Sequence, residues 1–237
     1  MKAMILAAGQ GTRLRPLTDR IPKPMVVVAG KPILEHNLEL LARHGACEVV
    51  INLHHRPQTI IEHFGDGSRW GVHITYSFEP ELLGTAGAVK RAQEQFDNTF
   101  LVLYGDNLTT CDLSRLVVFH QAKDGIATIA LHCRDDPAAS GIVGLDDQDR
   151  VIQFVEKPKP EQIFSHLVNA GILVLEPKVL DAIPGRMPAD FGRDLFPSLL
   201  ARGEAIYGYR MSQGEDLWWI DTPEDLRRVK AIWEEGE

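Results

Sequence analysis

The chain has 237 residues, 44% of them hydrophobic, and 33 acidic against 25 basic side chains give a formal net charge of −8. That length and apolar content are ample for one large α/β domain with its own core. The acidic balance argues against a surface that tracks nucleic acid, but local Arg and Lys residues can still hold one small phosphorylated molecule, with a divalent cation between acid and phosphate. Cys47, Cys111 and Cys133 show neither CxxC nor Cys/His zinc spacing, which predicts a reduced, cytoplasmic setting. The amino terminus carries no recognisable signal-peptide cleavage region, and no stretch is long and apolar enough to span a bilayer, so no membrane role is expected.

In chain order, residues 1–7 read as a buried strand that turns sharply out through Ala8, Gly9, Gln10 and Gly11. Residues 25–28 read as extended. Pro32 with Ile33, Leu34, Leu38 and Leu41 predicts a helix from near Lys31, stopped by Gly45. Residues 48–53 read as a strand, 57–64 as a short helix and 72–78 as a strand. The segment LLGTAGAVKRAQEQ predicts a second tight turn at Gly84 and Gly87, with a helix running to about Gln95. A strand over 100–104 ends in Gly105-Asp106-Asn107.

The second half reads as a helix over 112–121, a strand over 126–132 and a strand pair, 141–145 and 151–156, around DDQDR. A strand over 169–175, a short helix over 178–183 and a helix over 191–201 interrupted at Pro197 follow. A strand over 205–210 and a terminal helix over 223–233 complete the reading. Strands alternating with helices predict a Rossmann-like, three-layer α/β fold around a mostly parallel mixed sheet. Ligands of such sheets collect beyond the carboxyl ends of the strands. One compact domain of two lobes is expected over 1–237, the first mainly 1–110 and the second mainly 111–237.

The opening loop is neither a P-loop nor G-x-G-x-x-G. Its small residues nevertheless let backbone N–H groups approach phosphate, and Thr12, Arg13, Arg15 and Lys23 bring donors and positive charge. Arg13 can fork across triphosphate oxygens and Lys23 can act as a compact charge on a shared phosphate; as ordinary residues they would form surface pairs, for example with Asp19. Asp106 follows an apolar strand and suits Mg²⁺, which takes one or two carboxylates along with phosphate oxygens. Asp221 ends the apolar run LWWID and could supply the second carboxylate or cap the following helix, with Asp216 a further candidate. Glu156 and Lys157 could grip a sugar and its phosphate, or simply pair at a strand exit. Asn169 could contact a polyol or form a turn. Trp218 and Trp219 could cover a ring or pack in a core, and His54 and His55 read as structural.

Together these residues resemble the sugar-phosphate nucleotidyltransferase family. The matching blocks are residues 6–18 with Lys23-Pro24-Met25, then 83–89, Gly105-Asp106-Asn107, FVEKP at 154–158 and Asn169-Ala170-Gly171. The resemblance implies that Leu6, Ala8, Gly9, Gly11, Thr12 and Arg13 cradle nucleotide phosphates, with Glu79 to Gly84 lining the base. It implies Arg13, Lys23 and Asp106 as catalytic residues, and Asp106 and Asp221 as Mg²⁺ ligands. It also implies Gly141 and Asn169 bordering the sugar, Glu156 recognising it and Lys157 holding its phosphate. Where the family has W-x-D and then Gly-Thr-Pro, this chain has WWIDTPEDL, a shorter spacing.

The implied reaction joins a nucleoside triphosphate and a sugar 1-phosphate into an NDP-sugar and pyrophosphate. The LLGTAGAV, FVEKP and NAGILVLEP blocks look closest to guanylyltransferases that make GDP-mannose from GTP and mannose 1-phosphate. Other members pair dTTP or UTP with glucose 1-phosphate, or use heptose 1-phosphate or N-acetylmuramate 1-phosphate. A homodimer is a family-based expectation. The contrasting reading is a nucleotide-sugar sensor that binds without turnover.

Overall fold

A computed structural model describes residues 1–234. In chain order it contains β1 (Lys2–Leu6), β2 (Val27–Val28), β3 (Lys31–Pro32), α1 (Ile33–Arg43), β4 (Glu48–Leu53), α2 (Pro57–Phe64), β5 (His73–Phe78), α3 (Gly84–Arg91), β6 (Phe100–Tyr104) and β7 (Asn107–Thr109). It continues with α4 (Leu113–Lys123), β8 (Ala127–Cys133), β9 (Gly141–Leu145), β10 (Val151–Glu156), β11 (Leu167–Leu175), α5 (Phe196–Ala201), β12 (Ile206–Arg210), β13 (Leu217–Trp219) and α6 (Pro223–Glu234). The fold is mixed α/β, with parallel and antiparallel strand pairs.

By internal packing the chain divides into two compact units. Among the described residues the first is 1–82, 103–110 and 217–234; the second is 83–102 and 111–216.

In the first unit β1 pairs parallel with β4, and β4 parallel with β5. These strands are nearly continuous apolar runs: Ala3, Met4 and Ile5 are fully buried, as is Ile51. Such runs suit a parallel sheet covered on both faces. α1 buries Ile33, Leu34, Leu38 and Leu41 on one face, and α2 buries Ile60 and Phe64. A second apolar cluster joins Leu14, Val26, Val28, Ile33, Leu108, Ile220 and Val229, with Trp218 and Trp233 packed against it. Trp218 meets Trp233 edge-on, with ring centroids 5.3 Å apart, so this tryptophan is a packing residue.

In the second unit β9 pairs antiparallel with β10 and β11, β11 antiparallel with β8, and β12 parallel with β8. The register of β11 shifts between Asn169 and Leu173. Gly171 takes φ +72° there, and its N–H donates to Asn169 Oδ1 at 2.9 Å. The Asn-Ala-Gly motif is therefore an Asx-stabilised bulge inside a strand.

Differences from the sequence expectation are local. The helix expected to reach Gln95 ends at Arg91 and resumes as a 3₁₀ turn over Gln93–Gln95. Pro197 does not interrupt a helix: it sits in the first turn of α5, where no N–H is needed, after a π-type turn over Phe191–Leu195. The three-residue strands β7 and β13 carry no periodicity long enough to read, yet their pairing (Asn107 with Trp219, Leu108 with Trp218, Thr109 with Leu217) shapes the site. Among the described residues no helix is long and apolar enough to cross a membrane.

Candidate active site

In the first unit the site begins where β1 ends. The N–H of Gly105 donates to Leu6 O at 2.9 Å, stapling the Gly-Asp-Asn turn to the carboxyl end of β1. A Cβ on Gly105 would lie 2.8 Å from Ile5 Cγ2, so only glycine permits that approach. Ala8 is buried, whereas Gly9, Gln10, Thr12 and Arg13 are exposed. Gly11 takes φ +62°, and a Cβ there would lie 2.9 Å from both Lys23 Cβ and Thr18 Cγ2. The loop thus folds down onto Lys23, and Thr18 Oγ1 donates to Gly11 O at 2.7 Å.

Lys23 is the centre of the charge cluster. Its Nζ donates to Asp106 Oδ2 at 2.7 Å and to Asp221 Oδ1 at 2.8 Å. Arg13 Nη2 reaches the same Asp221 oxygen at 2.9 Å. The Lys23 side chain is only 7% exposed, against 37% for Asp106 and 24% for Asp221. Burial alone would lower the lysine pKa; the two carboxylates outweigh it and hold the value above the ordinary 10.5. Lys23 is therefore a fixed positive charge.

The pairing of β7 with β13 explains how residues so far apart in sequence meet. It brings Asp106, one residue before β7, and Asp221, two residues after β13, to the same end of the ribbon. Beneath them the apolar cluster anchors Leu14 beside Arg13, Leu108 beyond Asp106 and Ile220 beside Asp221. Rigid support of this kind is what keeps charged side chains in a defined geometry.

Asp221 does not cap α6. That role falls to Thr222, whose Oγ1 accepts from Asp225 N at 3.1 Å while Asp225 Oδ2 accepts from the Thr222 N–H at 2.9 Å, a reciprocal cap. Asp216 belongs to the second unit, whereas Lys23, Asp106 and Asp221 belong to the first. Arg15 pairs with Asp19 at 3.2 Å, both largely exposed, leaving Arg13 for the cluster.

Asp106 and Asp221 are hard oxygen donors held within hydrogen-bond reach of one nitrogen. Among the described residues no group of three or more His, Cys, Asp or Glu side chains could hold a metal ion. Mg²⁺ needs no such cage, since it typically keeps one or two carboxylates together with waters and substrate phosphates. The donor set fits that ion.

Glu79 lies one residue beyond β5 and is 1% exposed. Its carboxylate accepts from Asn52 Nδ2 at 2.7 Å, and Asn52 Oδ1 accepts from Ala7 N–H at 2.7 Å. Asn52 was not expected from the sequence; its one signal is a polar amide inside the apolar run VVINL. His54 meets Glu79 O at 2.8 Å and His55 meets Thr18 O at 3.1 Å, structural contacts for both.

In the second unit Gly141 and Glu156 are direct cross-strand partners. Asn169 follows Val168, which pairs with Ile142. The register therefore sets Asn169, Gly141 and Glu156 in one row across β11, β9 and β10, with exposed Lys157 next in the chain. Lys157 takes φ +49°, an uncommon backbone for a non-glycine residue, and its N–H donates to Ser140 O at 3.1 Å. Glu156 is half-buried. Burial pushes its pKa up, Lys157 and Arg193 pull it down, Asp190 pushes it up, and the net shift is upward.

Gly84, expected at the nucleotide, belongs to the second unit and packs on residues 189–191. It takes φ +76°, and a Cβ there would lie 2.5 Å from Ala189 O. Ala189 O accepts from the N–H groups of Ala86 and Gly87, each at 2.9 Å. Asp190 Oδ1 accepts from Thr85 N at 3.1 Å, and Phe191 N donates to Thr85 Oγ1 at 2.9 Å. The first N–H groups of α3 are thus satisfied within the protein. Two residues on from Asp190, a Cβ on Gly192 would collide with the Glu156 carboxylate. Nothing in the sequence links Thr85 to Asp190, 105 positions away.

The nucleotidyl transferase family model matches residues 2–235. The chain belongs to that family. It is 43% identical, over 99% of its own length, to a UTP–glucose-1-phosphate uridylyltransferase of Synechocystis sp.. It is 40% identical, over 97% of its length, to a mannose-1-phosphate guanylyltransferase of Mycobacterium tuberculosis. It spans only 62% and 63% of those two relatives. Among solved structures it resembles HddC from Yersinia pseudotuberculosis, with a TM-score of 0.80, 26% identity and 98% of each chain covered. That protein has also been solved complexed with GMP-PN. The family assignment agrees with the opening block, the Gly-Asp-Asn turn and the FVEKP and Asn-Ala-Gly motifs read from the sequence.

Proposed function

We propose that the protein transfers a nucleoside monophosphate from an NTP to a sugar 1-phosphate, giving an NDP-sugar and pyrophosphate. The observation that carries this reading is the Lys23 ammonium held between Asp106 and Asp221, with Arg13 on the same Asp221 oxygen. Alternating fixed charges beside a glycine loop suit a polyphosphate, and the family membership supports the same chemistry.

In this reaction a sugar-phosphate oxygen attacks the α-phosphorus. A new P–O bond forms, the bond from the α-phosphorus to the bridging oxygen breaks, and that electron pair leaves on pyrophosphate. The nucleophile is already anionic, so no general base is required; the protein must position two anions against their repulsion. The loop residues Leu6, Ala8, Gly9, Gly11 and Thr12 hold the triphosphate, with Arg13 forked on its oxygens. Lys23, charged and held between Asp106 and Asp221, stabilises charge on the transferring phosphoryl group. Lys157 holds the sugar phosphate, Glu156 accepts sugar hydroxyls, and Gly141 and Asn169 border the ring. Asp106 and Asp221 would hold Mg²⁺, which when bound neutralises phosphate charge and polarises the phosphoryl oxygens.

For substrates we place GTP and mannose 1-phosphate first, in line with the Mycobacterium tuberculosis relative and the LLGTAGAV block. The Synechocystis relative, named for UTP and glucose 1-phosphate, favours a second reading in which the mechanism stands and the pair changes. The deciding experiment is pyrophosphate release over GTP, UTP, dTTP, CTP and ATP against several sugar 1-phosphates, with Mg²⁺. One strongly preferred GTP–mannose 1-phosphate pair is expected. A different productive pair replaces the substrates, whereas nucleotide-sugar binding with no turnover on any pair would make the protein a sensor.

A further inference from the structure

We propose that Asn52 is a positioning residue for the nucleotide loop, acting through a buried amide–carboxylate pair with Glu79. The inference rests on the reading that residues 7–13 hold the triphosphate. Asn52 is 4% exposed between Ile51 and Leu53, which are themselves buried. A primary amide at such a place is costly unless both of its ends are satisfied. Both are. In the β1–β4 ladder Asn52 pairs with Leu6, the last residue of β1. Its side-chain Oδ1 then accepts the next amide along, Ala7 N–H, at 2.7 Å. The side chain thus adds one rung to the sheet at the point where the chain leaves for the glycine loop.

The other end of the amide reaches across to β5. Asn52 Nδ2 donates to Glu79 Oε1 at 2.7 Å. Glu79 is also the first residue past its strand, and its N–H donates to Leu53 O at 2.8 Å. One amide therefore fixes how two chain segments depart from adjacent strands: residues 8–11 on one side and 80–82 on the other. The residue type follows from this. The position needs an acceptor facing Ala7 and a donor facing a carboxylate, which Asn supplies and Asp cannot. With so little exposure, Asn52 acts on a ligand only through the backbone it holds. Misplacing a binding loop by about 1 Å can cost about 100-fold in rate.

The test exchanges donor and acceptor. Asn52→Asp keeps the oxygen for Ala7 but sets two carboxylates against each other. Asn52→Asp with Glu79→Gln restores an N–H···O contact in the opposite sense. In the full-length protein without ligand, Asn52→Asp should speed hydrogen exchange across residues 7–13 by about tenfold or more, and raise KM for GTP and UTP by a similar factor while leaving the sugar 1-phosphate KM within about threefold. The double variant should recover the exchange rates of residues 7–13 to within about threefold of wild type. Wild-type exchange in a folded Asn52→Asp protein would overturn the proposal, as would an equal rise in KM for both substrates. If the single variant does not fold, the double variant decides: a folded protein with a fast-exchanging loop overturns the proposal, and a protected loop sustains it. Should the wild-type protein bind no NTP at all, the functional reading fails on its own, and hydrogen exchange still decides the role of Asn52.

Discussion

Asp221 accepts the Lys23 ammonium at 2.8 Å although the two residues are 198 positions apart in the chain. The contact is made inside one packing unit, because the chain returns to that unit at Leu217 after building the whole of the second. The return leg carries β13, whose pairing with β7 brings Asp221 to Asp106, and Thr222, which caps α6 so that the Asp221 side chain can face Lys23. The shortened spacing of WWIDTPEDL therefore still delivers a carboxylate to the cluster.

Asp106→Asn and Asp221→Asn each remove one negative charge and keep the side chain's shape. Each should lower Mg²⁺-dependent pyrophosphate release by about 100-fold or more, the scale seen when one preorganised electrostatic group is lost, with little change in the circular dichroism spectrum. Each should also shift the metal-concentration dependence to higher values. Unchanged metal dependence in either variant would leave that aspartate as a structural partner of Lys23 alone.

Much of this arrangement can be read from the sequence, for identifiable reasons. The runs that became β4, α2, β6, β9 and β10 are long enough to show a period or an unbroken apolar stretch, and each ends at a turn former. Arg13 and Lys23 lie in the loop that follows the opening apolar run and Asp106 directly follows another, so their sequence context points to a strand end, whereas Asp221 ends only the short run LWWID. What could not be read depends on pairing across distance. β7 and β13 are three residues each, and their strand character comes from each other. Asn52 looks like an interruption of an apolar strand until Ala7 and Glu79 are seen on either side. The clamp of Thr85 on Asp190 needs a tertiary approach that only a glycine at 84 allows.

That approach gives a stability prediction with an internal control. Gly84 and Gly203 share nearly the same φ, +76° and +74°, but a Cβ meets the Ala189 backbone at Gly84 and nothing within 4 Å at Gly203. Gly203→Ala should cost about 1–2 kcal/mol from left-handed strain alone. Gly84→Ala should cost at least about 1 kcal/mol more, because the backbone of Ala189 must also move. Urea denaturation of both variants measures the difference. Equal losses would mean that the 189–191 segment yields freely.

The cysteines separate by environment. Cys111 is fully buried, and burial, reinforced by the nearby negative charges of Glu215 and Asp112, pushes its thiol pKa well above the ordinary value. Cys47 and Cys133 are exposed. An aromatic disulfide reagent near neutral pH should therefore label those two quickly and Cys111 only at the rate of unfolding, since the thiolate is the reactive form. Mass spectrometry of partly labelled protein checks the order. Early labelling of Cys111 would show that residues 209–215 open without global unfolding.

Under its proposed role in sugar recognition, Glu156 would set stability against function. Its carboxyl is raised above the ordinary 4.5, chiefly by burial, with Lys157 and Arg193 opposing and Asp190 assisting. The folded protein thus holds this proton more tightly than the unfolded chain. The linked stability is fully present below pH 4.5 and is lost as pH rises through the folded value. Near neutral pH the native protein carries a half-buried charge that Glu156→Gln does not. The variant should therefore melt at a higher temperature than wild type near neutral pH, with the gap closing as the pH falls toward 4.5 and the wild-type carboxyl becomes neutral. Its use of sugar 1-phosphate should fall, with KM raised by about tenfold, because an ionised oxygen is the stronger acceptor for sugar hydroxyls. Functional sites commonly trade stability in this direction. A variant less stable than wild type at neutral pH would instead mean that the ionised carboxylate holds the second unit together, and that Glu156 belongs to the scaffold rather than to sugar recognition.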